Sequence, residues 1–218
     1  MNRISEVSFR AVSLTTASRF AEASALYREV FGYLDPAYGL NPRLLGALAS
    51  NGGSVVGILD ENDQLVAFAY GFCATDRRGF YHYSQSAVVA AEQQGRGLGR
   101  MLKHAQKEVA LSHGMSRMRW TYDPAQVRNA HFNLDVLGAR GRWFAPDMYG
   151  PGTDRVVVEW DLTREHPVPS EVVAELVVPT TDLRKSFEEL LGKGLVAVSC
   201  RRRPDGSGVY YFGPAGDA

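Results

Sequence analysis

Three alternating glycines, Gly95, Gly97 and Gly99, stand between a β-rich run and a helical stretch, and they constrain the fold more than any other feature. The β-rich run covers residues 80–90, and the helical stretch covers residues 98–112. Glycine has no Cβ atom, so the backbone can turn sharply at these positions and approach a ligand closely. The spacing therefore predicts a strand, a tight loop and a helix in direct succession.

The start of this helix is suited to an anion. Amides of a glycine-rich loop can face outward, and the unpaired N–H groups and dipole of the helix add to them at the same place. A pyrophosphate would fit such a site. The alternative is that the glycines only form a tight turn, and the loop alone does not decide between these two interpretations.

Two common phosphate-binding loops do not match these residues. The Walker loop ends in Gly-Lys-Ser/Thr, and the segment 93–100, QQGRGLGR, lacks that ending. The dinucleotide fingerprint Gly-x-Gly-x-x-Gly, if it began at Gly95, would need a glycine where Arg100 stands. The chain before the loop also has the pattern of an antiparallel hairpin, so we do not expect NAD or FAD.

Capping residues and turn residues define the other elements. Thr15 or Thr16 can cap a first helix that Gly32 ends, and a second helix follows Asn41. The polar segment 60–64 predicts a hairpin between two antiparallel strands. Strands are predicted at 7–12, 54–59, 65–74, 80–90, 117–122 and 156–160, and a later helix at 124–137.

The sequence changes character after Trp160. Residues 166–169 read His-Pro-Val-Pro, and the prolines favour an extended connector because each fixes φ. We therefore predict one domain at 1–162 and a C-terminal extension at 163–218 that packs on the domain or on a partner subunit. Within the extension we predict a helix at 182–191, strands at 195–199 and 209–212, and a turn at 204–206.

Composition limits the classes of partner and the compartment. Lys and Arg number 24 and Asp and Glu also number 24, so we expect neither nucleic acid nor a membrane surface as a partner. The N-terminus lacks the apolar core of a signal peptide, which makes the cytoplasm the default expectation. Cys73 and Cys200 lie far apart with no metal-site spacing, so we expect two reduced thiols and no metal.

The loop resembles that of a known superfamily. Residues 94–99, Gln-Gly-Arg-Gly-Leu-Gly, match the Gln/Arg-x-x-Gly-x-Gly/Ala loop of the GNAT acetyltransferases, where it also lies between the fourth strand and the third helix. The resemblance covers about residues 6–160. It implies an α+β fold with a mixed, mostly antiparallel central sheet that is flanked by helices and splayed between strands 4 and 5. The extension adds a C-terminal helix and hairpin.

The resemblance also implies a cosubstrate, acetyl-CoA or another acyl-CoA. By similarity, the loop amides would bind the pyrophosphate of coenzyme A, the end of the preceding strand would contact pantetheine, and the Val89 amide would lie near the thioester carbonyl. An asparagine of the later helix would also contact pantetheine. The cofactor-binding candidates are Ala87, Val88, Val89, Gln94, Gly95, Arg96, Gly97, Leu98, Gly99, Arg100, Asn129 and Asn133.

The catalytic residues match the family less well. Many members carry, four residues before the glycine of a Leu-Gly pair, a tyrosine that protonates the leaving thiolate, whereas this chain has Leu134 there. Candidates for the missing acid and for a base are Tyr122, Tyr149, His82, Tyr83 and His131, of which we select the first three. Tyrosine can donate a proton to a thiolate, and histidine can accept one from an amine. Each could equally be a packed aromatic or a structural polar group.

The resemblance implies an N-acyltransferase that moves an acyl group from acyl-CoA to a primary amine of a small molecule by direct attack. Because Leu134 replaces the tyrosine, the alternative is a catalytically silent module that binds acyl-CoA. O-acylation is a third use of the same fold. The extension could cap the acceptor pocket or form a homodimer contact.

Overall fold

The computed structural model describes residues 8–35, 38–164 and 171–215. The chain forms two compact units, Met1–Ser116 and Arg117–Ala218. The predicted α+β fold, with a mostly antiparallel sheet flanked by helices, is confirmed. The splay between strands 4 and 5 and the domain boundary near residue 163 stay predictions, and the connector 166–169 lies outside the described residues.

The first unit is an antiparallel sheet covered by helices. Its strands pair in the order β1-β2-β3-β4. The strands are β1 (Arg10–Ser13), β2 (Ser54–Leu59), β3 (Leu65–Asp76) and β4 (Gly79–Val89), and the helices are α1 (Ala17–Phe31), α2 (Pro42–Ser50) and α3 (Leu98–Ser112).

The predicted caps are present in this unit. The Thr16 side chain accepts a hydrogen bond from the Arg19 amide at 3.3 Å, and Asn41 Oδ1 accepts one from the Arg43 amide at 2.9 Å. Gly32 ends α1 in the left-handed region at φ +66°, as only glycine does without strain. Local side-chain chemistry therefore sets the ends of α1 and the start of α2.

Residues alternate between the two faces of this sheet, because successive strand side chains point to opposite sides. Val55 and Phe68 belong to the apolar core that includes Phe20 of α1 and Leu45 of α2. The other core, packed around the start of α3, contains Val56, Ile58, Val66, Ala67, Ala69, Leu98 and Leu102. The helix that follows the glycine loop is thus fixed on one face of the sheet by burial of its own first turns.

The second unit contains strands from both sides of the predicted domain boundary. Its strands pair antiparallel in the order β5-β7-β6-β9-β10-β8. The strands are β5 (Arg117–Tyr122), β6 (Arg140–Ala145), β7 (Arg155–Asp161), β8 (Ala174–Val178), β9 (Leu195–Arg202) and β10 (Gly208–Pro214). The helices are α4 (Val127–His131), which continues as a π-helical turn at Phe132–Val136, and α5 (Leu183–Gly192).

Three of these elements differ from the sequence prediction. Strands β6 and β8 were not predicted, and α4 begins at Val127 rather than at residue 124. The later start has a local cause, because Asp123 Oδ1 accepts the Ala125 amide at 2.9 Å and closes a turn. Tyr210 also donates to the Pro124 carbonyl at 2.8 Å, which holds that residue outside the helix.

The C-terminal extension packs within the second unit. Strand β9 pairs with β6 at Gly141 and Ala197, and Phe187 of α5 stacks on Phe144 of β6 with ring centroids 5.6 Å apart. None of the helices among residues 8–35, 38–164 and 171–215 is long and apolar enough to cross a membrane.

Candidate functional site

The glycine loop adopts the conformation that its sequence predicts. Strand β4 ends at Val89, a short 3₁₀ turn follows, and α3 begins at Leu98. Gly95 and Gly97 have φ values of +81° and +80°, and a Cβ atom built on either would meet no other atom within 4 Å. These glycines are therefore required by their backbone angles, and open space surrounds the loop at both of them.

Most of the loop amides have no hydrogen-bond partner among the residues that the structure describes, although Leu98 itself is buried. The amides of Gln94 and Arg100 are paired inside the protein, with the carbonyls of Ala91 at 3.4 Å and Gly97 at 3.0 Å. The amides from Gly95 to Gly99 make no hydrogen bond to any residue that the structure describes. Binding of a phosphate by the amides from Gln94 to Arg100 stays a prediction, and the first and last of these amides are engaged within the protein.

The end of β4 presents backbone groups of its own. The Ala90 amide donates to the Val66 carbonyl at 2.9 Å, and the register pairs Val88 with Phe68. In an antiparallel ladder, every second residue directs its N–H and C=O away from the neighbouring strand. The amides of Ala87 and Val89 therefore point away from β3, while Val88 is bound to it.

A bulge in β4 changes which face its side chains occupy. Ser86 lies opposite Tyr70, whereas Ser84 lies opposite Gly71, so Gln85 is an extra residue. Without this bulge, Ser84 would lie on the same face as Val88, against α1. With it, Ser84 lies on the α3 face, where its hydroxyl donates to Gln106 Oε1 at 2.7 Å.

His82, a predicted catalytic residue, lies on the same face as Ser84 and is fully buried. Its Nε2 is 2.9 Å from Ser54 Oγ, and its Nδ1 has no hydrogen-bond partner in the described part of the chain. Burial, with smaller contributions from Lys103 and His113, lowers the pKa of His82 to about 4. A neutral histidine under α3 is a poor base for an amine arriving from solvent, so we interpret His82 as structural.

Tyr122 is also enclosed. It is 5% exposed, and burial raises the pKa of its hydroxyl far above the usual value for tyrosine. Its hydroxyl lies near that of Tyr210 and has no hydrogen-bond partner within the described ranges. The raised pKa holds the proton on Tyr122, which leaves this residue a weak candidate for proton transfer.

Tyr149 differs from both other candidates because it is 53% exposed. It lies in the loop 146–154 between β6 and β7, and its hydroxyl is 3.5 Å from Thr121 Oγ1 on β5. The guanidinium carbon of Arg155 lies 5.5 Å from the centroid of its ring. Of the two candidate tyrosines, Tyr149 is the one whose side chain is exposed to solvent.

The two candidate asparagines have different environments. Asn133 is buried, and its Oδ1 accepts a hydrogen bond from Trp120 Nε1 at 2.8 Å, which satisfies a buried indole. Asn129 is exposed on α4. Leu134, which stands where the family's tyrosine is expected, is fully buried in the core. Of the two asparagines, only Asn129 is free to turn toward a ligand.

The basic residues near the loop also divide into two groups. Arg96 and Arg100 are exposed beside the available amides. Lys103 is 5% exposed and donates to Ser84 Oγ at 2.8 Å, so it faces the sheet rather than the loop. Sequence reasoning missed this buried polar cluster, because the bulge at Gln85 that creates it has no signature in the sequence.

No group of three or more His, Cys, Asp or Glu residues within 8–35, 38–164 and 171–215 is arranged to hold a metal ion. The described site consists of backbone donors at the start of a helix, a strand end whose alternate amides point away from β3, and two exposed arginines. Such donors suit a phosphate-containing ligand.

Comparison with known proteins decides the family. A family described as Acetyltransferase (GNAT) family matches residues 20–138, which is more than half of the chain. The chain belongs to the GNAT acetyltransferase family. The match includes the glycine loop, α3 and the π-helical turn after α4, so the resemblance of the loop motif is confirmed.

Solved GNAT structures share this fold at low sequence identity. An N-acetyltransferase from Staphylococcus aureus Mu50 is 18% identical with a TM-score of 0.56, over 72% of this chain and 99% of that one. An aminoglycoside 6'-N-acetyltransferase complexed with coenzyme A is 12% identical with a TM-score of 0.56, over 72% and 99%. The ribosomal-protein-S18-alanine N-acetyltransferase from Escherichia coli is 14% identical with a TM-score of 0.53, over 77% and 100%. A search of curated proteins found no match.

Proposed function

We propose that the protein transfers an acyl group, in the first instance acetyl, from acyl-CoA to a primary amine of a small molecule. The observation that carries the proposal is the run of available amides from Gly95 to Gly99 at the start of α3. These donors would hold the pyrophosphate of the cosubstrate, with the exposed Arg96 and Arg100 beside them. The fold of a relative that is complexed with coenzyme A supports this assignment.

The acyl end of the cosubstrate would lie along the end of β4. Acyl-CoA supplies a thioester, whose carbonyl oxygen gains negative charge when an amine attacks. The outward amide of Val89 is the donor we assign to that oxygen, because a fixed donor stabilises charge that develops only in the transition state. The amide of Ala87, which lies two residues before Val89 on β4 and points the same way, would bind the pantetheine arm.

Proton transfer would use Tyr149 in place of the family's tyrosine. Its hydroxyl is accessible and lies next to Thr121 on β5, whereas Leu134 has no proton to give. Asn129 would contact pantetheine, since Asn133 is engaged with Trp120. We propose direct attack by the amine, with no covalent acyl-enzyme.

A second candidate is a silent module that binds acyl-CoA, which the absence of a tyrosine at Leu134 favours. The two differ in turnover. Thiol release from acetyl-CoA would be measured with a panel of primary amines that includes aminoglycosides, on which two structural relatives act by name. Amine-dependent thiol release supports the enzyme. Binding of coenzyme A without release for any amine supports the silent module.

A further inference from the structure

The loop that carries Tyr149 is closed by its own hydrogen bonds. The Tyr149 amide donates to Thr153 Oγ1 at 2.8 Å, and the Thr153 hydroxyl donates to the Gly150 carbonyl at 2.6 Å. Asp147 Oδ1 accepts the Gly152 amide at 2.7 Å, and Asp147 itself has a φ of +48°. The loop therefore has a defined shape in which Tyr149 projects from the middle.

Arg184, from the C-terminal extension, joins the two ends of this loop. Its Nη2 lies 2.9 Å from Asp147 Oδ1 and 2.6 Å from Asp154 Oδ1, and its Nε lies 3.0 Å from Asp154 Oδ2. The planar guanidinium thus binds Asp154 through Nε and Nη2, and Asp147 through Nη2. This bonding to Arg184 lowers the pKa of Asp147.

The helix that carries Arg184 is itself firmly anchored. Phe187 lies three residues later, on the same face of α5, and is fully buried. Its ring stacks on Phe144 of β6 at 5.6 Å and meets the edges of Tyr210 and Phe212 at 5.0 and 5.5 Å. Arg184 is therefore held by a rigid element, and the two aspartates are held by Arg184.

We infer that Arg184 is a positioning residue for Tyr149, and that the C-terminal extension takes part in the site by fixing the loop 146–154. The inference rests on the proposed role of Tyr149 in proton transfer. Without the guanidinium, the Asp147 amide would still donate to Asp154 Oδ1 at 3.1 Å, but the two carboxylates would repel each other and the loop would lose its attachment to α5. The hydroxyl of Tyr149 would then lose its fixed place beside Thr121.

The decisive variants are Arg184→Ala and Arg184→Lys, with Lys193→Ala as the matched control. Lys193 is an exposed cation at the end of the same helix and pairs with Glu189, not with the loop. Because exposed ion pairs contribute little to stability, all three variants should fold with nearly unchanged Tm. Lysine restores the charge but not the planar fork, so it should rescue only in part.

The first readout does not need a substrate. Protein labelled with ¹³C in its tyrosine rings gives an NMR signal for Tyr149, which is assigned from its loss in Tyr149→Phe. We expect that signal to shift and narrow in Arg184→Ala and to stay unchanged in Lys193→Ala. An unchanged Tyr149 signal in Arg184→Ala would overturn the inference, whether or not the protein has acyltransferase activity.

The second readout is kinetic. With an accepted amine, Arg184→Ala should lower kcat by about tenfold, as misplacement of a reacting group does, and leave the KM for acetyl-CoA within about twofold. Adding it to Tyr149→Phe should cause no further loss. Two results would show that Arg184 does not act through Tyr149. One is a kcat of the double variant lowered by the product of the two single effects, and the other is a kcat of Lys193→Ala lowered as much as that of Arg184→Ala. If no amine is turned over, the proposed function fails and the NMR result still decides the role of Arg184.

Discussion

Lys103 Nζ donates a hydrogen bond to Ser84 Oγ at 2.8 Å, and both side chains are buried between α3 and the sheet. The cluster continues from Ser84 to Gln106, then from Gln106 Nε2 to Ser54 Oγ at 3.0 Å, and from Ser54 to His82. Burial lowers the pKa of Lys103 to about 7. The helix that begins at the glycine loop is thus attached to the sheet by a buried hydrogen-bonded cluster. Burial lowers the pKa values of its two basic members, Lys103 and His82.

The pKa of Lys103 predicts how stability changes with pH. In the unfolded chain Lys103 keeps a proton up to about pH 10.5, whereas in the folded protein it loses that proton near pH 7. Between these values the unfolded state binds more protons, so the free energy of unfolding contributed by this group rises with pH, by at most about 1.4 kcal/mol per pH unit. Denaturant unfolding at pH 7, 8, 9 and 10 measures this slope.

The matched variant for this slope is Lys103→Met, which keeps an unbranched side chain one atom shorter and removes the titrating group. We expect the rise in stability between pH 7 and 10 to be smaller in Lys103→Met than in the unchanged protein. Equal slopes in the two proteins would show that Lys103 titrates normally.

Gly71 is predicted to tolerate no side chain. A Cβ atom there would lie 2.5 Å from His82 Nε2 and would also strike the carbonyl of Tyr83. Gly71→Ala should therefore lower the free energy of unfolding by about 1–3 kcal/mol, through overpacking and loss of the His82 contact. Gly192→Ala is the control, because a Cβ at the end of α5 meets nothing within 4 Å. Comparable Tm values for the two variants would contradict the packing around His82.

Replacing the two asparagines after β5 should have different effects, on stability for Asn133 and on cosubstrate binding for Asn129. Asn133→Ala leaves the buried Trp120 indole without an acceptor and should cost about 1–3 kcal/mol of stability. Asn129→Ala should leave Tm unchanged and raise the KM for acyl-CoA. Thermal unfolding and initial rates measured on both variants test this division, and a stability loss in Asn129→Ala would argue against it.

The thiols should react at different rates in the native protein. Cys73 is exposed, whereas Cys200 is fully buried and burial raises the pKa of its thiol to about 12. A thiol reagent should therefore modify one cysteine per folded chain and two after denaturation. Loss of the fast reaction in Cys73→Ser identifies the reactive thiol, and rapid modification of that variant would contradict the burial of Cys200.

Sequence patterns predicted those parts of the fold that local chemistry decides. The caps at Thr16, Asn41 and Gly32 and the glycine loop each depend on residues close together in the chain. Strand β6 was missed because its arginines do not read as buried residues in the sequence, and the carboxylate beside Arg142, that of Glu159 at 3.3 Å, comes from another strand.

In the candidate site, too, features set by neighbouring residues were predictable and features set by distant residues were not. The loop amides were predictable from glycine spacing, whereas the surroundings of His82 depend on an unmarked bulge at Gln85. Which asparagine is engaged inside the protein depends on Trp120, which donates to Asn133. Trp120 is close to both asparagines in sequence but lies on a different element, the strand β5. The contact between Arg184 and Asp154 of the loop 146–154 joins residues 30 positions apart, so no local sequence pattern predicts it.

The most direct test of the account is calorimetric titration of coenzyme A into Gly97→Asp. A carboxylate beside the amides would repel the phosphates, and φ +80° is less favourable for aspartate than for glycine, so affinity should fall by about a hundredfold or more. Gly79→Asp is the matched control, because Gly79 also has a positive φ, +98°, and open space, but lies at the start of β4, next to the β3–β4 turn. Loss of affinity in Gly97→Asp alone is the predicted result, and unchanged affinity in a folded Gly97→Asp protein would contradict the central claim that these amides bind the pyrophosphate.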